Sequence, residues 1–114
     1  MIFVTGPMFS GKKAYLKKLL TLSEEEFEKQ VAYDILEDVG KTTDIEKLVT
    51  ALREYRAVIL PEMGSGVIPM DEKALQLREN CGRLAVRLAE EADTVIRVVC
   101  GLPQVLKGKP EDRQ

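Results

Sequence analysis

The sequence predicts an α/β fold in which helices cover both faces of a mainly parallel sheet of about four strands, giving three layers. Three observations predict it. Short apolar, β-branched runs recur along the chain, helix-forming segments with capping residues separate them, and a glycine-bearing loop joins the first run to the first helix. Strands that alternate with helices imply right-handed crossovers, with ligands at the carboxyl ends of the strands.

Ile2 to Thr5 reads as a buried strand feeding a turn. Lys12 to Leu22, rich in Lys, Leu and Ala, follows as a helix. Ser23, with Glu26 three residues on, has the form of a capping box and opens a short helix to about Lys29. Gln30 to Leu36 reads as a second strand, ending near Asp34. Thr43 and Glu46 repeat the capping pattern and open a helix through about Tyr55, on which Ile45, Leu48, Val49 and Leu52 form an apolar stripe. Arg56 to Leu60 is the third strand, closed by Pro61.

Met63 to Pro69, with Gly64 and Gly66, reads as a loop. Asp71 then caps the longest helix, which runs to about Ala92 with Ala74, Leu77, Cys81, Leu84, Leu88 and Ala92 on its buried stripe. Arg78, Arg83 and Arg87 fall on its solvated or subunit-facing side. Thr94 to Cys100 is the fourth strand, and Gly101 to Gly108 leads into a polar tail. Residues 1–108 are therefore expected to form one domain, and 109–114 a frayed end.

Composition narrows the chemistry. The chain has 114 residues, 45% hydrophobic and 32% charged, the profile of one globular domain. Its 17 Lys and Arg against 19 Asp and Glu give a net charge of -2, so no basic field invites nucleic acid and any phosphate recognition must be local. There is no histidine, which removes imidazole as base, nucleophile or metal ligand. Cys81 and Cys100 lack CxxC spacing and read as small buried apolar residues. No apolar run approaches the roughly 20 residues that cross a bilayer, so the expectation is a cytoplasmic protein with no membrane partner.

The stretch that carries chemistry is GPMFSGKK, Gly6 to Lys13. It fits the phosphate-binding loop pattern of Gly, four residues, Gly, Lys, between a first strand and a first helix, and so points to a P-loop NTPase-like fold. Gly6 and Gly11 permit the turn, Ser10, Gly11 and Lys12 offer backbone donors, and the Lys12 ammonium reaches the β- and γ-phosphates of ATP or GTP. Lys13 stands where Ser or Thr usually ligates Mg²⁺. An ammonium has no lone pair for the ion, although its charge suits phosphate. Glu62, after the third strand, is a candidate for meeting a metal or a substrate hydroxyl, and Asp34, after the second, is a further metal candidate.

Glu62, Gly64, Gly66 and Pro69, then Arg78, Gly82 and Arg83, Ala92 with Asp93, and Gly101 with Lys107 form a series along the second half. In this series the chain resembles the adenosylcobinamide kinase / adenosylcobinamide-phosphate guanylyltransferase family of cobalamin biosynthesis. The resemblance implies a P-loop fold, often trimeric, that phosphorylates the cobinamide side-chain hydroxyl and then transfers GMP from GTP through a guanylated histidine. This chain has no histidine, so the guanylyl step is expected to be absent. The family loop usually reads GGxRSGKS, whereas here Pro7, Phe9 and Lys13 replace Gly, Arg and Ser. Two readings follow: a nucleotide-binding relative that transfers a phosphoryl group to a cobinamide-like hydroxyl, or a non-catalytic module that uses the same fold for assembly or regulation.

Overall fold

Alternation on the strands decides how the layers form. A computed structural model describes residues 1–63 and 71–110; the loop expected around Gly64, Gly66 and Pro69, and the end of the tail, lie outside the described residues. Strands β1 (Ile2–Thr5), β2 (Val31–Ala32), β3 (Ala57–Ile59), β4 (Thr94–Val99) and β5 (Leu102–Lys107) form one sheet in the order β2-β3-β1-β4-β5. The β1–β3, β1–β4 and β2–β3 pairs are parallel and β4–β5 is antiparallel.

Along β1, Phe3 faces one core and Val4 the other; along β3 and β4, Val58 and Val95 join Phe3, while Ala57, Ile59, Ile96 and Val98 join Val4. This two-residue period gives the sheet two apolar faces, each of which needs a helical cover. Helices α1 (Lys12–Leu20) and α2 (Glu24–Gln30) cover the Val4 face through Leu16, Leu20 and Phe27. The other face lies under α3 (Leu36–Lys41), α4 (Ile45–Leu52) and α5 (Glu72–Glu91), through Val39, Val49, Leu52, Cys81, Leu84 and Leu88. Among the described residues no helix is long and apolar enough to cross a membrane.

Several expected boundaries move for local reasons. Helix α1 stops at Leu20 rather than Leu22, because Thr21 turns left-handed at φ 53° and its N–H closes back on Lys17 and Lys18. The second strand is only Val31–Ala32, since Asp34 adopts φ 55°, a left-handed conformation that Asp tolerates better than most residues. The chain then forms α3, a helix that the sequence reading does not contain. Six residues with Gly40 inside are too short for a helical period to stand out.

The cap of α4 is Asp44 rather than Thr43, its carboxylate accepting from the Lys47 N–H at 3.2 Å, and this helix ends at Leu52 rather than Tyr55. The caps at Ser23 and Asp71 lie where expected, and Ser23 and Glu26 form the full reciprocal box.

The sheet has a fifth strand where a polar lead-out was expected. Cys100 and Gly101, at φ 54° and 75°, make a two-residue turn that folds β5 back along β4. Cys100 is therefore exposed at the turn, not buried, whereas Cys81 is buried as expected. Lys107 ties β5 to α5, its ammonium donating to the carbonyls of Ala89 and Glu90 at 3.0 and 3.1 Å, where a helix end favours positive charge.

On α5, Arg83 pairs with Glu79, and Arg87 forks onto Glu46 of α4 while reaching Glu90. Asn80 is the buried polar residue of that helix. Its amide donates to the carbonyl of Val39 at 2.9 Å and to that of Thr42 at 3.4 Å, and its oxygen accepts from Gln76 at 2.8 Å. It thereby satisfies carbonyls at the open end of α3. Asn80→Ala is expected to lower unfolding free energy by about 1–3 kcal/mol, the cost of leaving such groups unpaired in the interior. Urea unfolding checks this, and an unchanged midpoint contradicts the clamp.

Candidate functional site

The loop from Gly6 to Lys13 leaves β1 where only glycine fits. At Gly6, with φ 143°, an added Cβ would lie 2.2 Å from the carbonyl oxygen of Val98 on β4. Gly11, at φ 89°, approaches the Cα of Gly101. The loop is pinned at both ends by backbone bonds: the Glu62 N–H donates to the Gly6 carbonyl at 2.8 Å, and the Gly101 N–H donates to the Ser10 carbonyl at 2.7 Å. Between these pins the tip is apolar and open, with Phe9 99% exposed at φ 59°.

Helix α1 begins directly after Gly11, which has no side chain to cap it, and no acidic residue lies in the first turn. The first N–H groups of the helix lack intrahelical acceptors and carry the positive end of its dipole. Lys12, though at that helix start, is buried: its ammonium curls over the loop, donating to the Pro7 carbonyl at 2.6 Å and to the Ser10 hydroxyl at 3.4 Å. Burial lowers its pKa from the ordinary lysine value, and the negative charge of Glu62 partly offsets that. An anion in the loop would offer this ammonium a charged acceptor in place of the neutral Pro7 carbonyl, and charge-assisted bonds are the stronger kind.

Beside the loop lies a cavity of about 630 Å³, walled by Phe9, Lys13, Tyr33, Leu36, Ile59 and Pro61 among others. That volume suits a small organic ligand, and its lining is mostly apolar. Lys13 points its side chain at two aromatic rings. Its ammonium lies 4.2 Å from the centre of the Tyr33 ring and 5.7 Å from that of Phe27, a cation–π arrangement on the cavity wall. Tyr33 donates to Glu28, a bond that pushes its pKa up to about 12 and keeps it a neutral phenol.

The two acidic candidates diverge. Asp34 lines the cavity and is exposed. Glu62 is half-buried and faces Arg97 of β4, which donates to both carboxylate oxygens, from Nε at 2.5 Å and from Nη2 at 3.0 Å. The fork of hydrogen bonds from Arg97 holds the Glu62 carboxyl below the usual carboxylate range.

Two of the positions expected to meet a divalent ion are taken up otherwise, and Asp34 stays exposed on the cavity wall. Position 13 presents an ammonium, Glu62 has its oxygens engaged, and among the described residues no group of three or more His, Cys, Asp and Glu could hold a metal.

The sequence reading brings Gly6, Ser10, Gly11, Lys12 and Lys13 to one loop, with Asp34 across the cavity wall and Glu62 bonded to the entry of the loop. It missed Arg97 and Tyr33. Arg97 had a signal: a charged residue in the apolar run TVIRVV has to find a partner on its face of the sheet. Tyr33 had only its position beside Asp34 at a strand end.

No curated protein matches the chain. A family model, that of cobinamide kinase / cobinamide phosphate guanyltransferase, matches residues 29–106, a stretch that includes β2 to β4, Glu62 and Arg97 but begins after the Gly6–Lys13 loop. The match covers more than half of the chain, which therefore belongs to the cobinamide kinase / cobinamide phosphate guanyltransferase family.

Proposed function

We propose that this chain binds the phosphates of ATP or GTP at Gly6–Lys13, as a P-loop NTPase-like member of its family acting in cobalamin biosynthesis. One observation carries the reading: a buried lysine and an uncapped helix N-terminus converge on a loop whose two ends are pinned by backbone bonds. Backbone N–H groups of the loop and first turn take phosphate oxygens, and Lys12 leaves Pro7 to neutralise the outermost charge. The adjoining cavity, with Asp34 and Lys13 on its wall, accommodates the second reactant, a cobinamide-like hydroxyl compound.

Phosphoryl transfer to that hydroxyl is the activity that family membership favours. Guanylyl transfer through histidine has no residue to use in this chain. A second reading, a nucleotide-binding module without turnover, draws on one specific observation: Glu62, the carboxylate that would assist the hydroxyl, is held by Arg97. Transfer of labelled γ-phosphate to cobinamide separates the two. Appearance of labelled product supports the kinase, and nucleotide binding without product supports the module.

We also propose a homo-oligomer, a trimer by family resemblance. The exposed apolar residues Leu102, Val105 and Leu106 on edge strand β5 support a covered edge.

Calorimetric titration with ATP and GTP is expected to show binding that Lys12→Ala weakens by about 1.5–3 kcal/mol, the range for a hydrogen bond to a charged group. That is roughly ten- to hundredfold in Kd. Equal affinity in the variant contradicts the site. Light scattering is expected to give a multiple of the 12.8 kDa chain mass, reduced by Leu102→Lys combined with Leu106→Lys. A wild-type monomer contradicts the oligomer.

A further inference from the structure

We propose that the site takes its polyphosphate as the free anion, without a divalent metal, because Arg97 occupies Glu62 and Lys12 supplies the cation over the loop. This rests on the nucleotide reading above and deepens it. The argument starts from the sheet. Arg97 is paired in register with Thr5, the last residue of β1 before Gly6, so β4 carries the guanidinium alongside the loop entry. Ile96 and Val98 are buried in the α1-side core, and strand alternation turns Arg97 to the opposite face, where the chain leaving β3 brings Glu62.

The pairing consumes the carboxylate as a metal ligand. Both oxygens accept from the guanidinium, at 2.5 and 3.0 Å, and the fork is part-buried. Glu62 is also fixed from its backbone, whose N–H donates to the Gly6 carbonyl. A divalent ion bridging the ligand and Glu62 would have to displace a bidentate guanidinium and then lie close to it, with the Lys12 charge on the same carboxylate. Nor does position 13 help, since the Lys13 ammonium is directed onto Tyr33. Two places where oxygen ligands are expected in such a loop are thus occupied by cations. The positive charge that a metal ordinarily brings with a nucleotide falls here to Lys12, whose ammonium lies over the loop.

The test is nucleotide titration in chelator and in excess Mg²⁺, on wild type and Arg97→Leu. Wild type is expected to bind free ATP at least as tightly as the Mg²⁺ complex, and Arg97→Leu, with Glu62 released, is expected to favour the Mg²⁺ complex by about tenfold. Wild-type binding that requires Mg²⁺ overturns the inference.

Failure of wild type to bind ATP under either condition refutes the nucleotide reading instead, and a second measurement then decides the metal question. Mn²⁺ added to the protein alone should leave the amide resonances of Gly6 and Glu62 sharp in wild type and broaden them in Arg97→Leu. Broadening in wild type overturns the proposal whatever ATP does. Thermal unfolding of the variant establishes that it is folded before either comparison is made.

Discussion

Two backbone hydrogen bonds, from the Glu62 N–H to the Gly6 carbonyl and from the Gly101 N–H to the Ser10 carbonyl, set the shape of the candidate site. Each joins the loop to the end of a different neighbouring strand, β3 on one side and the β4–β5 turn on the other. The loop is therefore a product of the sheet order. With β1 between β3 and β4, its exit is within reach of both, and the missing Cβ of Gly6 lets the chain pass the Val98 carbonyl. Lys12 is buried because that fixed loop encloses it, and Arg97 meets Glu62 because the same strand ends converge.

Much of this was legible in the sequence, for identifiable reasons. The apolar, β-branched runs of Ile2–Thr5 and Thr94–Val99, and the long stripe of Cys81, Leu84 and Leu88, each reflect repeated contact with a core, and repetition is what a sequence pattern records. Gly6 and Gly11 were legible because a sharp turn with positive φ and close backbone approach needs glycine. Helix α3 and strand β5 were not. The first is a single short stretch whose helical form depends on Ile35 and Val39 entering a core built by distant segments. The second is fully exposed, carries Pro103 and is set by a Cys100–Gly101 turn lacking the usual Asn-Gly or Asp-Gly signal.

Two charged residues of the candidate site have partners that the sequence reading does not contain. Lys13, read as a cation for phosphate, lies with its ammonium over the Tyr33 ring and within reach of Phe27. Glu62, read as facing a metal or hydroxyl, accepts a guanidinium from a residue that motif reasoning passed over. Neither outcome follows from local sequence, because both partners come from other elements of the fold. Family membership rests on the stretch from residue 29 to residue 106, so the loop stands on its own geometry.

The most direct measurement of whether that loop is a phosphate site is amide-resolved nuclear magnetic resonance during titration with inorganic pyrophosphate. The account predicts saturable shifts concentrated in Gly6 to Lys13, together with a change at the Lys12 ammonium as it leaves the Pro7 carbonyl. Unchanged resonances across this loop at millimolar pyrophosphate, or shifts confined to another face such as β5, would contradict it.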